Sequence, residues 1–436
     1  MTGIATFPRL PGRRVGASGG LTDRLLLSDV HLRRSGPADP VRHVAAESLV
    51  EHLARLGPRP LGGPGLVDLV QGSGLLGHGG AHVPAAVKWR ALAAGDGPLT
   101  LVANAAESEP VAGKDGTLLR QRPHLVLDGL ALAAEALGAQ RAVVWLHGDD
   151  DGGRRAVRTA LEERRRTGAR EPVKIVSGPV HYLAGESSAV ARGVLGGPAL
   201  PSTRRPARGP HRPRTLVHNV ETLARLALLA RDRPPTSTRL LSVLGADRVV
   251  VEVEAATTFA RLLAELGWDS RPQAVLLGGY GGLWAPWDRL ADLPLAESAL
   301  RSEGLTLGAG VVIPLAEGAC GLRVTADLVR YLASMSARQC GPCAFGLPAL
   351  ADSARALAEG RGHDDLVQRL LDDAGLVEGR GACHHPDGAT RLVASALATF
   401  EADVAAHVAG RACPARADHP LPGVDGAGTV PVAVRR

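Results

Sequence analysis

The chain has 436 residues, of which 45% are hydrophobic and 3% aromatic, and its formal net charge is +6 at pH 7. This length allows two or three folded units around a large core. The basic residues form no long tract with interleaved aromatic side chains, so nucleic acid is not an expected partner. Apolar segments are too short to cross a bilayer and no apolar leader follows Met1, which favours a cytoplasmic protein with no direct membrane span. Five unevenly spaced cysteines are not typical of a disulfide scaffold.

The first predicted elements lead into a glycine-rich run. Residues 1–60 are predicted to form an extended arm and an amphipathic helix over Val41–Leu56. The run Gly77–Gly80 has few side chains, which lets backbone N–H groups approach a phosphate or a flat ring closely. Pro84 suits the first turn of a helix, and Lys88 follows one turn later, where its ammonium can reach a phosphate at the helix start. A plain surface turn explains the same spacing equally well.

Strand and helix patterns alternate through the next part of the chain. Apolar runs predict strands at Leu99–Ala103, Ala142–Leu146 and Val173–Val176. Helical periodicity predicts helices over His124–Leu137 and over the highly charged Asp149–Arg170. This alternation favours an α/β fold with an open, mainly parallel sheet and helices on its faces.

Two further regions follow. A small α/β module is predicted from Leu240 to about Pro314, with a helix at Thr257–Leu266 and a strand at Ala274–Leu277. From Thr325 onwards the pattern is helical, with short connections that indicate a small bundle. The helices of this last region are predicted at Ala326–Met335, Leu347–Ala358, Asp364–Asp373 and Ala389–Val408.

Three cysteines form a candidate metal site. Cys340 and Cys343 make a Cys-x-x-Cys motif, and Cys383 lies on a loop between two predicted helices. Thiolates two residues apart at a helix start can face one iron–sulfur cluster or one zinc ion. Two buried structural cysteines with a third nearby by chance are the plain alternative.

Two residue types are scarce and point to particular positions. Lysine occurs only at Lys88, Lys114 and Lys174, and asparagine only at Asn104 and Asn219. In a chain that nearly excludes a residue type, we expect the few remaining copies to do something that Arg, Asp or Gln cannot.

Several stretches resemble the flavoprotein (51-kDa type) subunit of respiratory complex I and its relatives in formate dehydrogenases and hydrogenases. The stretch Ser73–Trp89 resembles the family's flavin-binding glycine loop without a gap. It departs from the family pattern at Leu76, His78, His82, Val83, Ala85, Ala86 and Val87. The stretch Asn104–Pro110 resembles the family's Asn-Ala-Asp-Glu-Gly-Glu-Pro, and Tyr182–Ala189 resembles Tyr-Ile-Cys-Gly-Glu-Glu-Thr-Ala. His218–Thr222 resembles Asn-Asn-Val-Glu-Thr, with His218 in place of the first Asn.

The resemblance covers roughly residues 65 to 405 and implies a domain organisation. It implies a Rossmann-like FMN domain, a small β-grasp module of the soluble-ligand-binding type (SLBB-like) and a C-terminal helical bundle. The expected units are an N-terminal arm and helix at 1–60, the FMN domain at 61–238, the SLBB-like module at 239–322, the iron–sulfur bundle at 323–410 and a flexible tail at 411–436.

The resemblance also implies which residues line the flavin. These are Gly77, His78, Gly79, Gly80, Lys88, Asn104, Glu107, Tyr182, Gly185, Glu186, His218, Asn219 and Thr222. Among them, Glu107 and Glu186 are the catalytic candidates.

For the cluster, the resemblance carries over only three of the four cysteine ligands. The family motif Ser-Cys-Gly-x-Cys-x-Pro-Cys matches Cys340 and Cys343, and Cys383 matches the family's later cysteine, but the first cysteine of the motif is Ala337 here. A 4Fe–4S cluster with a fourth ligand from Cys320, His384, His385 or water is one outcome. A three-iron cluster is another, and zinc or no metal at all is the third.

The implied activity is electron transfer between NAD(P)H and a one-electron acceptor through FMN and the iron–sulfur cluster. The expected partner is a ferredoxin-like or other iron–sulfur redox protein, and peripheral attachment to a membrane complex is compatible with the expected cytoplasmic location. Aromatic residues that stack on the adenine in the family are replaced here by Val83, by Ala91 and by a loop containing Arg204, Arg205 and Arg208. NADH is therefore expected to be a poor substrate. A flavin and iron–sulfur adaptor that has lost NADH oxidation is the alternative function, and a non-redox structural descendant is a third.

Overall fold

The computed structural model describes residues 3–4, 26–27, 31–33, 46–93, 96–169, 172–202, 213–233, 238–245, 248–268, 270–361, 365–411, 417–419 and 421–424. The first elements are β1 (Gly3–Ile4), β2 (His31–Arg33) and α1 (Leu49–Leu56). Helix α1 begins at Leu49 because Ser48 and Glu51 form a capping box. The predicted helix over Val41–Leu56 is therefore confirmed from Leu49 onwards and wrong at 46–48, and its start lies outside the described residues.

A parallel sheet organises the first half of the chain. Its strands are β3 (Leu99–Asn104), β4 (Arg141–Leu146), β5 (Val173–Ser177) and β6 (Arg214–Asn219), in the order β5-β4-β3-β6. The surrounding helices are α2 (Gly65–Ser73), α3 (Ala85–Ala93), α4 (Lys114–Gln121), α5 (Pro123–Leu137), α6 (Asp151–Arg166), α7 (Ser187–Val194) and α8 (Val220–Leu229). The predicted α/β alternation is confirmed in the three predicted strands, β3, β4 and β5, whereas β6 was not predicted as a strand.

Close packing of α5 on α8 supports this sheet. A Cβ at Gly129 in α5 would lie 1.9 Å from the carbonyl oxygen of Leu223 in α8, so only glycine lets the two helix backbones meet. Because β3 and β6 pair in parallel register, Asn104 and Asn219 end side by side at the carboxyl edge of the sheet. That edge is where ligands bind in open α/β sheets.

A mixed sheet follows, in the order β10-β9-β11-β7-β8-β2. Its elements are β7 (Thr238–Leu244), β8 (Arg248–Glu254), α9 (Phe259–Glu265), β9 (Ala274–Leu277), β10 (Leu283–Pro286), α10 (Trp287–Leu290), α11 (Glu297–Ser302) and β11 (Val311–Pro314). The predicted helix and strand of this module are confirmed. The edge strand β2 was predicted only as part of an extended arm; it pairs antiparallel with β8, more than 200 residues away in sequence.

Helices fill the C-terminal part. They are α12 (Gly321–Ser334), a π-helical turn (Pro342–Gly346), α13 (Leu347–Ala358), α14 (Leu366–Val377), α15 (His385–Thr399) and α16 (Glu401–Val408), and strand β12 (Ala417–Asp418) then pairs with β1. No helix in the described ranges is long and apolar enough to cross a membrane.

The predicted single helix over Ala389–Val408 is wrong, because the chain breaks between α15 and α16 at Phe400. Phe400 has non-helical dihedrals (φ −112°, ψ 36°), and its ring is buried edge-on against Trp284 at a centroid distance of 5.2 Å. A Cβ on Gly321 would lie 2.2 Å from this ring. Packing of one aromatic side chain thus overrides a continuous helical pattern.

Candidate functional site

The glycine-rich run forms a loop closed by backbone hydrogen bonds. The N–H of Gly77 donates to the carbonyl of Val83, and the N–H of Ala85 donates to that of Leu75, both at 2.9 Å. A Cβ on Gly79 would lie 3.5 Å from Cβ of Asn219, so this part of the loop faces the end of β6. The loop and the carboxyl edge of the sheet therefore lie against each other.

The buried ammonium of Lys114 holds the glycine-rich loop in place. Lys114 Nζ donates to Asp115 Oδ1 at 2.7 Å, to Glu221 Oε2 at 2.8 Å and to the carbonyl of His78 at 3.1 Å. Burial lowers the pKa of Lys114, but Asp115 and Glu221 outweigh burial and raise it overall, so the ammonium stays charged. Asn219 Nδ2 donates to Asp115 Oδ2 at 2.5 Å, which fixes the orientation of this predicted flavin contact.

Two predicted flavin contacts, His78 and Thr222, are hydrogen-bonded to each other and hold the glycine-rich loop in place. His78 Nδ1 lies 3.2 Å from Glu221 Oε1, and the N–H of His78 donates to Thr222 Oγ1 at 2.9 Å. Burial holds the pKa of His78 well below its usual range, so the ring is neutral. The structure therefore gives His78 and Thr222 a supporting role beneath the loop.

Trp89 fixes the ring of His218 at the end of β6. The indole Nε1–H donates to His218 Nε2 at 2.8 Å, so the hydrogen of this neutral imidazole is on Nδ1. Burial, with a smaller contribution from Lys88, lowers the pKa of His218 to about 3. Nδ1 is buried and has no hydrogen-bond partner among the described residues. His218 thus presents an unused N–H donor.

Lys88 lies beside this donor. Its Nζ is half-buried on α3 and donates to the carbonyl of Val217 at 3.3 Å. An ammonium and a neighbouring N–H donor at the carboxyl edge of a parallel sheet are suited to an anion such as a phosphate. Sequence reasoning missed Trp89, although it is the residue directly after Lys88 in the family's glycine-loop pattern.

A second loop packs on the end of β3. Asn104 Nδ2 donates to the carbonyl of Gly185 at 2.9 Å, and Asn104 Oδ1 accepts from the N–H of Ala106 at 3.1 Å. A Cβ on Gly185 would lie 2.3 Å from the carbonyl oxygen of Ala106, so glycine is required for this contact. Glu186 Oε2 accepts from the N–H groups of Ser188 and Ala189 and caps α7. One oxygen of this predicted catalytic carboxylate is therefore used as a helix cap.

The other predicted catalytic carboxyl, Glu107, titrates near neutral pH. It accepts from the N–H groups of Asp115 and Gly116 at the start of α4, at 3.2 and 3.3 Å. Burial, followed by the charge of Asp115, raises the pKa of Glu107 to about 7.

Tyr182, predicted as a flavin contact, donates its hydroxyl to Glu109 at 2.8 Å. Glu109 was not among the predicted site residues, although it matches the family motif.

Two of the three predicted metal ligands, Cys340 and Cys343, lie next to each other at the π-helical turn, and Cys383 is near enough to affect their charge. Burial raises the pKa of Cys343, and the adjacent Cys340 thiol and Cys383 raise it further. Within the described ranges, no three His, Cys, Asp or Glu side chains meet as ligands of a single metal ion. Ala337 stands at the first cysteine position of the family motif, and the next residue, Arg338, has a positive φ of 50°.

Of the predicted alternatives for the fourth ligand, Cys320 is excluded by its position. It is the N-cap residue of α12, at the opposite end of this helix from the Cys-x-x-Cys motif; the 14 residues of the helix span about 21 Å at a rise of about 1.5 Å per residue. The sulfur of Cys320 lies 3.8 Å from His407 Nε2. His385 donates Nε2–H to the carbonyl of Leu332 at 2.8 Å, and His384 Nδ1 bonds to Asp387 at 2.9 Å.

Residues predicted to affect nucleotide binding are only partly described. Val83 is half-buried beside the glycine loop and Ala91 is exposed on α3. The loop with Arg204, Arg205 and Arg208 lies outside the described residues, as do Cys413 and most of the tail predicted at 411–436.

Two family models match this chain. The family model described as Nuo51 FMN-binding domain matches residues 70–228, and the one described as NADH-ubiquinone oxidoreductase-F iron-sulfur binding region matches residues 323–407. The first match contains every predicted flavin contact, and the second contains Cys340, Cys343 and Cys383.

Individual relatives and solved structures are also similar to this chain. The F subunit of NADH-quinone oxidoreductase of Streptomyces coelicolor is 29% identical over 378 residues, which is 80% of this chain and 84% of the relative. One of the corresponding F subunits of Rhizobium meliloti is 27% identical over 380 residues, covering 80% of this chain and 90% of the relative. A chain of an NAD+-reducing NiFe-hydrogenase in the H2-reduced state aligns with a TM-score of 0.71 and 26% identity, over 80% of this chain and 63% of the hydrogenase chain. The chain thus spans somewhat less than two thirds of that hydrogenase chain. With two family models that together match more than half of its length, the chain belongs to the family of FMN- and iron–sulfur-binding flavoprotein subunits that includes the F subunit of NADH-quinone oxidoreductase.

Proposed function

We propose that the protein is an FMN- and iron–sulfur-dependent oxidoreductase that passes electrons between a nicotinamide nucleotide and a one-electron acceptor. The observation that carries this proposal is the unused Nδ1–H of His218 beside Lys88, at the carboxyl edge of the parallel sheet and opposite the glycine loop. A buried donor without an acceptor is unfavourable unless a bound group supplies one. The phosphate of FMN is an acceptor of the right charge for both side chains.

The chain's residues fit FMN in distinct roles. Lys88 and His218 would hold the phosphate, while the open space beside Gly80, where an added Cβ would meet nothing within 4 Å, leaves room for a flat ring. Asn104 connects the loop around Gly185 to the end of β3, and Lys114 holds the glycine loop through the carbonyl of His78. FMN, when bound, takes up two electrons together and passes them on singly.

The C-terminal helices would carry the cluster, in a bundle over 323–410. Cys340, Cys343 and Cys383 would supply three thiolates, and the position of the family's first motif cysteine is Ala337. The fourth iron would then depend on water or on a histidine next to Cys383. The mixed sheet would be the SLBB-like module at 239–322, and the parallel sheet and its helices would be the FMN domain at 61–238, with the N-terminal arm at 1–60.

The acceptor would be a ferredoxin-like or other iron–sulfur redox protein that docks near the cluster. Phe345, two residues after Cys343, is 78% exposed, and Leu376 on the neighbouring helix α14 is 61% exposed. Large exposed apolar side chains near a redox centre favour a protein contact there. The oxidoreductase itself would work in the cytoplasm, either free or on the periphery of a membrane complex.

A second candidate function is a flavin and iron–sulfur adaptor that no longer oxidises NADH. Val83 and Ala91 favour it, because neither can stack on an adenine. Both functions need FMN, so they differ only in the electron donor.

FMN affinity tests the assignment of the phosphate site. Lys88→Ala should weaken FMN binding by roughly 1.5–3 kcal/mol, the range for a charge-assisted hydrogen bond, which is about 10- to 150-fold. Quenching of flavin fluorescence by the apoprotein measures this. Riboflavin, which lacks the phosphate, should bind both proteins equally well. Lys174→Ala, which removes an exposed lysine of β5, is the matched control and should bind FMN like the wild type. An unchanged FMN affinity in Lys88→Ala would show that the phosphate lies elsewhere.

A further inference from the structure

The tyrosines of this protein meet at one place. The sequence contains three, and each comes from a different part of the fold: Tyr182 from the loop between β5 and α7, Tyr280 from the turn between β9 and β10, and Tyr331 from α12. The ring of Tyr331 packs edge-on against Tyr182 at a centroid distance of 5.8 Å and against Tyr280 at 5.3 Å. In a chain with 3% aromatic residues, this cluster marks the junction of the parallel sheet, the mixed sheet and the C-terminal helices.

The carboxyl of Glu109 lies in this junction and is held by only one of its oxygens. Tyr182 Oη donates to Glu109 Oε2 at 2.8 Å, and the N–H of Tyr280 donates to the same oxygen at 3.0 Å. Gly279 gives the carboxyl room, because a Cβ there would lie 2.6 Å from Oε2, and its φ of +105° also favours glycine. The other oxygen, Oε1, is buried without a hydrogen-bond partner among the described residues.

An unpaired carboxylate oxygen in a buried site favours protonation, because a proton on Oε1 removes the buried charge. Burial raises the pKa of Glu109 to about 7; the donors Tyr182 and Tyr280 lower it, and nearby Glu107 raises it. Tyr182 itself stays protonated, because burial and Glu109 raise its pKa well above the usual range. Glu109 can therefore exchange a proton near neutral pH while Tyr182 remains a donor to Oε2.

Charged and titratable groups around Glu109 come from each element packed on it. Arg248 of β8 donates to the carbonyl oxygens of Pro110 and Ala112, at 3.0 and 3.1 Å, in the same loop. The titratable groups around the carboxyl are Tyr182, Tyr331, Glu107 and His385 of α15, whose ring centroid lies 5.5 Å from that of Tyr182. The hydroxyl of Tyr280 donates instead to the carbonyl of Pro422 at 2.7 Å. No ion pair of Glu109 with a cation occurs among the described residues.

We propose that Glu109 holds a proton in step with the redox state of the flavin site, and that Tyr182 is the positioning residue that tunes it. This inference rests on the proposed function. A hydride from a nicotinamide nucleotide carries two electrons and one proton. When the hydride brings its two electrons to the flavin site, the Glu109 carboxylate takes up a further proton from water and forms an O–H bond at Oε1. When both electrons leave singly for an iron–sulfur acceptor, that O–H bond breaks and the proton is released to water, together with the proton that the hydride carried.

The pH dependence of the flavin midpoint potential tests this coupling in the FMN-loaded protein. Reduction adds negative charge near Glu109 and raises its pKa, so a proton is taken up on reduction between the two pKa values. Over that pH window the potential of the wild type should fall more steeply with pH than on either side. Glu109→Gln should lose the part of this slope that Glu109 supplies and keep only the part that Glu107 supplies, so its slope in the window should be smaller than that of the wild type. Tyr182→Phe removes a donor that favours the carboxylate and should move the window up by roughly one pH unit.

Tyr331→Phe is the matched control, since it keeps the ring and removes a hydroxyl that does not bond to Glu109; its window should stay in place. Infrared titration of the apoprotein gives a second readout, in which the carbonyl absorption of protonated buried carboxyls should lose the contribution of Glu109 in Glu109→Gln and keep that of Glu107. Equal slopes in the wild type and Glu109→Gln would overturn the inference, as would equal shifts in the two tyrosine variants. A protein that binds no FMN at all would overturn the proposed function as well, and would be recognised before any slope is measured.

Discussion

Micromolar NADH is expected to reduce the bound flavin only slowly. In the family that the sequence resembles, aromatic rings stack on the adenine, and here Val83 and Ala91 stand at two of those positions. Stacking of an aromatic ring on a base contributes roughly 1–3 kcal/mol per contact. Because about 1.4 kcal/mol is a factor of ten, the loss of several contacts should weaken NADH by a few orders of magnitude.

Anaerobic stopped-flow measurement of the flavin band tests this expectation. Reduced ferredoxin is the control, since rapid bleaching by it would show that the flavin site itself is competent. Val83→Phe should restore one stacking contact and speed reduction at low NADH by about 5- to 150-fold, while Val87→Phe, at an exposed position of the same helix region, should not. Rapid bleaching of the wild type by micromolar NADH would contradict the account of these positions.

Ala337→Cys is expected to convert a labile cluster into a stable one. The wild-type chain offers Cys340, Cys343 and Cys383, so one iron lacks a thiolate and should be lost on exposure to air. A cysteine at position 337 should retain that iron. Electron paramagnetic resonance separates the two forms, because a three-iron cluster is paramagnetic when oxidised and a four-iron cluster of this type is paramagnetic when reduced.

Ala337→Ser is the matched control, since its hydroxyl is a poorer ligand in nearly the same volume. It should behave like the wild type or only slightly better. If the oxidised wild type is silent and gives a full four-iron signal on reduction after exposure to air, the protein supplies its own fourth ligand and the expectation fails.

The positions of the main elements and of the candidate ligands could be predicted from the sequence, because they depend on local patterns. The apolar run that became β3 ends at Asn104, and the Cys-x-x-Cys motif fixes the spacing of Cys340 and Cys343. The resemblance to a family then placed Lys88 and His218 at one site.

Features that depend on packing between distant segments could not be predicted. The tautomer of His218 is set by Trp89, 129 residues away, and Glu221 pairs with Lys114 across 107 residues. The break at Phe400 comes from burial against Trp284 and Gly321, which no helical pattern reveals. Glu109 matched a motif, but its unpaired oxygen becomes apparent only when three parts of the fold meet around it.

The most direct test of the central claim is the cofactor content of protein purified without oxygen. The account predicts a visible spectrum with flavin bands on a broad iron–sulfur absorption, FMN released in stoichiometric amount on denaturation, and iron and sulfide in the same sample. A colourless protein that takes up neither FMN nor iron and sulfide on reconstitution would contradict it.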